Sequence, residues 1–138
     1  MPHKKSEDGW LSVTEVLSLA INKPWLCLWY GKNGTARCEQ IKRESQKIGS
    51  EVHELIENRF NGIDDDYTNR MIVNFWEKFV IPFEVKPVFL EQTVKNSKLK
   101  LQGTFDAVIN TNRGVNVTAD WKTSNQLDKV TVPLQLCA

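Results

Sequence analysis

The chain has 138 residues, of which 41% are hydrophobic and 25% are charged, a composition typical of one globular domain and unlike that of a disordered tail. Its 18 basic and 17 acidic residues leave a net charge of +1. No global charge therefore marks a nucleic-acid binder, and any such surface would have to be local. The three cysteines (Cys27, Cys38 and Cys137) include no Cys-x-x-Cys pair, which argues against a disulfide framework or a zinc knuckle.

The N-terminus gives no sign of export. Its first ten residues, MPHKKSEDGW, are polar and lack the apolar region of a secretion signal. The longest apolar stretches are also far shorter than a membrane span. We therefore expect an intracellular, cytoplasmic protein with no membrane partner.

Two short helices are predicted first. Ser12 and Glu15 have the spacing of a capping box, and the apolar run after them ends near Lys23-Pro24. A second apolar helical segment follows, with the sequence WLCLWY at 25–30. Such aromatic density usually indicates core packing, and stacking against a ligand is the rarer alternative.

One long helix is predicted from Thr35 to Phe60. The stretch has no proline, its apolar residues recur near helical spacing, and it closes at Asn61-Gly62. Gly49, His53 and Glu57 lie four residues apart, so they share one face. An imidazole beside a carboxylate suits a metal or phosphate pocket, although a lone histidine on a helix is more often an ordinary residue.

A further helix and a strand come next. Asp64-Asp65-Asp66 is predicted to form a loop and N-cap rather than a metal site, for a helix that ends at Pro82. Phe83 to Val94 is predicted to be extended, with Pro87 marking an edge or a bulge. The turn Asn96-Ser97-Lys98 then leads into a hairpin.

That hairpin carries the most informative pattern in the chain. Leu99 to Ile109 and Val115 to Lys122 both alternate apolar and polar residues. A turn centred on Arg113 places Asp106 opposite Asp120, since facing positions in an antiparallel pair move in opposite directions from the turn. Lys122 falls on the same face as Asp120.

Two carboxylates facing each other destabilise a sheet unless a cation neutralises them. The pair therefore favours a metal site, whereas a turn slipped by one residue would make this a solvent-facing hairpin with ordinary charges. Because the carboxylates repel without metal, we expect Asp106→Asn to leave the metal-free protein as stable as before or more so.

The C-terminal stretch from Val132 to Ala138 is predicted to start another helix, with Pro133 in its first turn. The chain is thus predicted to be a single domain: residues 1–82 are helical, and residues 83–138 form a three-strand antiparallel meander and the start of a helix. Such a sheet would keep one edge open. We expect missing C-terminal structure or a second copy in a homo-oligomer to complete it.

The stretches IGSEVHELIE, FLEQTV, GTFDAVI, ADWKTS and LQL, which span residues 48 to 136, resemble the PD-(D/E)xK nuclease superfamily and its RecB-like exonuclease branch. The opening LSVTEVLSLAINKPWLCLWY is similar to that of phage and mitochondrial genome maintenance exonucleases. The resemblance implies an α/β fold with a restriction-endonuclease-like core. It also implies a metal-dependent DNA nuclease, most often an exonuclease, that acts in DNA repair, recombination or phage DNA processing.

The same resemblance implies roles for individual residues. Mg²⁺ or Mn²⁺ would be bound by Asp106, Asp120, His53 and the Trp121 backbone carbonyl, since hard cations take oxygen ligands. Lys122 would activate water or offset phosphate charge, and Gln135 would contact the scissile phosphate or the lysine. The second-tier candidates for metal-bound water are Glu57 and Glu91.

The chain lacks the four cysteines with which some relatives hold an iron–sulfur cluster, so no cluster is expected. A second acidic-x-Lys triplet, Glu84-Val85-Lys86, has no acidic partner across a hairpin and is interpreted as accidental. The alternative function is a catalytically inactive nucleic-acid-binding or structural module with the same fold.

Overall fold

The computed structural model describes residues 9–63 and 69–123. Within them the chain is mixed α/β, with four α-helices and a four-stranded sheet. The predicted order, helices followed by a three-strand antiparallel meander, is confirmed. The predictions for Asp64-Asp65-Asp66, for Gln135 and for a helix starting at Val132 lie outside the described residues.

The N-terminal part begins with a two-residue strand, β1 (Leu11–Ser12), which leads directly into α1 (Val13–Ala20). Both bonds of the predicted capping box form: the Glu15 backbone N–H donates to Ser12 Oγ, and the Ser12 N–H donates to Glu15 Oε2, each at 3.2 Å. The sequence did not reveal β1, because two residues are too few to show alternation. The strand pairs parallel with the beginning of β3 through Leu11 and Leu101.

The next two helices follow each other closely in the chain, with Gly34 as the single residue between them. α2 (Pro24–Asn33) starts with proline in its first turn, and α3 (Thr35–Phe60) has the predicted bounds. Core packing was the wrong expectation for much of α2: it has no buried residue, and Trp25 and Leu28 are 59% and 76% exposed.

None of the helices in the described ranges is both long enough and apolar enough to cross a membrane.

The fourth helix, α4 (Arg70–Phe75), continues as a π-helical turn, Trp76–Val80. Its N-cap is Asn69, whose side chain accepts a hydrogen bond from the Met71 N–H at 3.0 Å. The N-cap of this helix is therefore Asn69. Asn and Asp both carry the side-chain oxygen acceptor that favours an N-cap, so the sequence alone could not choose among these residues.

The sheet is built around β3 (Leu101–Asn110). β2 (Lys86–Asn96) pairs antiparallel with one side of it; on the other side, β1 pairs with its start and β4 (Asn116–Ala119) pairs antiparallel with its end. The predicted irregularity at Pro87 is confirmed, since the register shifts between Pro87 and Phe89. β2 starts later than predicted, because residues 81–84 form a turn.

Two buried clusters hold helices and sheet together. One joins Val80, Val85, Ala107 and Ile109, and the other joins Val52, Ile56 and Ile72. The half-buried Trp121 packs against both clusters, with its ring centroid 5.1 Å from that of Phe75. The segment after β4 is thereby anchored between the helices and the sheet.

Candidate functional site

The predicted hairpin register is confirmed. Ala107 pairs with Ala119 and Asn110 pairs with Asn116, around a turn closed by a 2.9 Å hydrogen bond from the Gly114 N–H to the Thr111 carbonyl. The next step of the same register places Asp106 opposite Asp120. The observed pairs end one step before this one, and the two carboxyl groups interact with each other there, as the sequence predicted.

β4 ends three residues earlier than predicted, at Ala119. The cause lies at Asp106, whose Oδ2 accepts the Trp121 backbone N–H at 2.7 Å. A side-chain acceptor thus takes the donor that would continue the ladder. The chain leaves the strand with Asp120, Trp121 and Lys122 grouped around the end of β3.

His53 connects α3 to this segment. Its Nε2 lies 2.7 Å from the Trp121 carbonyl oxygen; because a carbonyl only accepts, Nε2 carries the proton and donates. Its Nδ1 lies 3.4 Å from Asp106 Oδ1. The imidazole is held there because its neighbours Val52 and Ile56 are buried in the core.

Asp120 and Lys122 form the other half of the site. Lys122 Nζ lies 2.7 Å from Asp120 Oδ2, as their shared face predicted. That contact is off the hydrogen-bonding direction, so the buried Oδ2 has an ionic neighbour but no well-directed hydrogen bond from a described residue. The lysine side chain is 35% exposed, whereas that of the aspartate is 13% exposed.

The surroundings of the two aspartates shift their pKa values in opposite directions. Burial on its own raises the pKa of Asp106, but the hydrogen bonds from His53 and the Trp121 N–H outweigh it and hold the pKa below its ordinary value. Burial raises the pKa of Asp120, the Asp106 charge adds to this, and Lys122 offsets only part of it. The Asp106 carboxylate also raises the pKa of His53, against the effect of burial.

This asymmetry corrects the expectation about Asp106→Asn. Asp106 Oδ2 accepts the Trp121 N–H, and Oδ1 faces His53 Nδ1, which donates when the imidazole is protonated, so the Asp106 charge is stabilised in the metal-free protein. The cost of like-charge repulsion falls on Asp120 instead. Relief of that repulsion is therefore expected from neutralising Asp120.

The second-tier candidates lie on different elements, Glu91 on β2 and Glu57 on α3. Glu91 falls opposite Asp106, because its neighbours Leu90 and Gln92 pair with Ala107 and Phe105. It is half-buried with a φ of +43°, a left-handed conformation that is uncommon for a non-glycine residue inside a strand. By register, Glu91 on β2 and Asp120, the residue after β4, thus lie on either side of Asp106.

Glu57 and Gly49 complete the predicted face of α3. The Glu57 side chain is half-buried and makes no hydrogen bond or ion pair with another described residue. The nearest atom to a Cβ built on Gly49 is Thr123 Oγ1, at 3.8 Å. The glycine lies beside the segment that follows β4, although the contact is not tight enough to require glycine.

The donor atoms suit a hard divalent cation, but the described residues do not present a finished ligand cage. No group of three or more His, Cys, Asp or Glu residues in ranges 9–63 and 69–123 is arranged to hold a metal. The buried Asp120 Oδ2 without a directed hydrogen bond is the atom that a cation would satisfy. A ligating histidine typically donates its other N–H to a backbone carbonyl, and His53 does so to Trp121.

Sequence reasoning missed what Trp121 does beyond its carbonyl. Its ring anchors the segment in the core, its N–H bonds Asp106 and its carbonyl bonds His53. No side-chain pattern signals backbone groups, so only the apolar residue between Asp120 and Lys122 could have pointed to an anchor. No protein-family model matches the chain, and no curated protein sequence matches it.

Proposed function

We propose that this chain is a metal-dependent deoxyribonuclease with a restriction-endonuclease-like core, which hydrolyses phosphodiester bonds as an exonuclease on DNA ends. One observation carries the proposal: the Asp106 and Asp120 carboxyl groups interact with each other, and a buried, incompletely satisfied oxygen of Asp120 lies beside the Lys122 ammonium. Two carboxylates and a lysine arranged in this way suit phosphoryl chemistry better than they suit a purely structural hairpin.

Mg²⁺ or Mn²⁺ would be held by Asp106 and Asp120, with Glu91 and the Trp121 carbonyl as further oxygen donors. A carbonyl oxygen has two lone pairs, so the hydrogen bond from His53 leaves one available. His53 would add Nδ1, the atom that faces Asp106, while keeping its Nε2–H on Trp121. When bound, such an ion lowers the pKa of water and offsets phosphate charge.

The protein's own groups then have separate tasks. Lys122, at the exposed side of Asp120, would place a positive charge against the phosphate as negative charge develops on its oxygens. Asp120 orients that ammonium through their 2.7 Å contact. His53 and Asp106 fix the backbone of Trp121, so the segment that carries both Asp120 and Lys122 keeps its position.

One observation favours the alternative, a nucleic-acid-binding or structural module that does not cut DNA. His53, Asp106 and Trp121 contact one another, so the polar atoms in this part of the site already have partners within the protein. These contacts would support the fold even in a protein without catalytic activity. DNA as a partner, an intracellular location and a possible homo-oligomer belong to both versions of the proposal.

The test is a gel assay of end-labelled linear and closed circular DNA, single- and double-stranded, with Mg²⁺, Mn²⁺ or EDTA. We expect metal-dependent loss of the linear substrates and survival of the circles. Asp120→Asn should remove this activity. The matched control is Glu84→Gln, in the exposed second triplet Glu84-Val85-Lys86, which should cut like the wild type.

Each other outcome has a defined meaning. Cleavage by Asp120→Asn at the wild-type rate would overturn the site assignment. DNA binding without cleavage of any substrate would overturn the nuclease proposal in favour of the inactive module. Cleavage of closed circles would show that the activity is that of an endonuclease and not of an exonuclease.

A further inference from the structure

A groove of about 400 Å³ lies between α2 and α3, away from the aspartates. Its walls are mainly apolar and include Trp25, Trp29 and Ile41, whereas Lys42 and Gln46 contribute polar atoms. Trp25 is 59% exposed. A large aromatic ring left this open to water at a concave surface is typical of a binding site.

The groove lies in line with the candidate active site. Lys42, Gln46, Gly49 and His53 follow one another on α3 at spacings of four, three and four residues, which places them on one helix face. At 1.5 Å per residue, the groove residues lie about 10 to 16 Å along the helix from His53. This is a span of a few nucleotides of extended single strand.

The part of the chain that forms the groove is basic in composition, although the chain as a whole is nearly neutral. The stretch from Ile21 to Ser50 contains six basic and two acidic residues, whereas the rest of the chain has more acidic than basic residues. Lys42 itself is held near the groove by the Tyr30 hydroxyl at 3.2 Å and by Glu39 at 3.4 Å. Local charge of this sign is complementary to a phosphate backbone.

We propose that this aromatic groove binds unpaired bases of single-stranded DNA, a few nucleotides from the bond that is cut. The inference rests on the proposed function and adds a substrate preference to it. Every base has a π-face that stacks on tryptophan without sequence preference. Bases in a duplex are already stacked on each other, so the groove favours single strands over duplex.

The binding test is made in EDTA, where no cleavage occurs. Fluorescence anisotropy measures the affinity of a labelled oligothymidylate of about ten nucleotides, the site size of common single-strand binders, and of an abasic strand of equal length. We expect Trp25→Ala to weaken oligothymidylate binding by about 5- to 150-fold, since stacking is worth roughly 1 to 3 kcal/mol per base. Trp25→Phe keeps an aromatic face and should retain most of the affinity.

Two controls separate stacking from other effects. Leu28→Ala alters a residue of the same helix that is more exposed, at 76%, and does not line the groove, so its affinity should equal the wild type's. The abasic strand keeps the phosphates and loses the bases, so Trp25→Ala and the wild type should bind it equally. Far-ultraviolet circular dichroism verifies that each variant is folded.

Equal binding of oligothymidylate by Trp25→Ala and the wild type would overturn the groove proposal. So would Trp25-dependent self-association in sedimentation velocity without any oligonucleotide binding, because it would assign the groove to a second copy. These outcomes can be told apart from a failure of the nuclease proposal. Metal-dependent cleavage with no effect of Trp25→Ala on binding would overturn only the groove proposal. Trp25-dependent binding without cleavage by any form of the protein would overturn only the nuclease proposal.

Discussion

His53 and Trp121 are 68 positions apart in the chain, yet the imidazole Nε2 donates to the tryptophan carbonyl at 2.7 Å. This bond ties the middle of the long helix to the segment after the last described strand. Because the Trp121 N–H is bonded to Asp106 on the other side, both backbone groups of one residue are fixed. The positions of Asp120 and Lys122 therefore depend on two residues that precede them in the chain.

The two aspartates should respond in opposite directions to neutralisation in EDTA near neutral pH. Asp106→Asn loses the charge that faces His53 and weakens the bond to Trp121, so we expect a loss of about 1 to 3 kcal/mol in the free energy of unfolding. Asp120→Asn removes a buried, repelled charge and should leave stability unchanged or raise it by up to about 1 kcal/mol. Urea or thermal melts measure both; equal losses for the two variants would contradict the asymmetry.

Metal should stabilise the wild type and neither variant. A ligand that binds only the folded state raises stability by mass action, so millimolar Mn²⁺ is expected to raise the wild-type melting temperature relative to EDTA. Asp106→Asn and Asp120→Asn should each lose most of that gain. If both variants still gained as much as the wild type, the cation would bind elsewhere.

Lys122 should matter for hydrolysis without being needed for metal. Lys122→Ala is expected to abolish DNA cleavage while retaining the Mn²⁺-induced rise in melting temperature, because the ammonium acts on phosphate or water and not on the cation. Lys86→Ala in the second acidic-x-Lys triplet provides the control and should cleave normally. Retained cleavage by Lys122→Ala in a preparation free of contaminating nuclease would remove Lys122 from the proposed chemistry.

Much of this arrangement could be predicted because the informative patterns are local. Alternation on both sides of the Asn112-Arg113-Gly114 turn set the register that pairs Asp106 with Asp120, and a proline-free apolar repeat set the bounds of α3. Each depends on residues within one element or one hairpin. Tertiary packing did not need to be known.

The features that could not be predicted depend on which helix and strand faces pack together, and the composition of the chain does not specify this packing. Trp25 and Leu28 look like core residues, yet α2 lies at the surface and leaves them exposed. Glu91 has a positive φ within a strand, and β4 ends where the Asp106 side chain accepts the Trp121 N–H. These features become visible only when strands and helices are placed together.

Two glycines offer a test of the helix that carries His53. Gly49→Ala adds a methyl group at ordinary contact distance, 3.8 Å from Thr123 Oγ1, and should stabilise the helix by about 0.5 to 1 kcal/mol. Gly62→Ala places alanine at a φ of +74° just past the helix end and should cost about 1 to 2 kcal/mol. Chemical denaturation compares them; destabilisation by Gly49→Ala would mean that the Thr123 contact is tighter than described.

The free energy of unfolding should depend on pH through His53. Asp106 raises the pKa of His53 above its ordinary value, so the folded protein holds the imidazole proton more tightly than the unfolded chain does. The resulting stability is fully present below the unfolded value of about 6.5 and is lost as pH rises through the folded pKa. In EDTA, the wild type should therefore exceed His53→Gln in unfolding free energy by about 1 kcal/mol more at pH 6 than at about pH 9. Glu57→Gln, one turn further along the same helix face, should keep the wild-type profile. A wild-type advantage over His53→Gln that stays constant or grows with pH would show that the imidazolium form is not the one stabilised by Asp106.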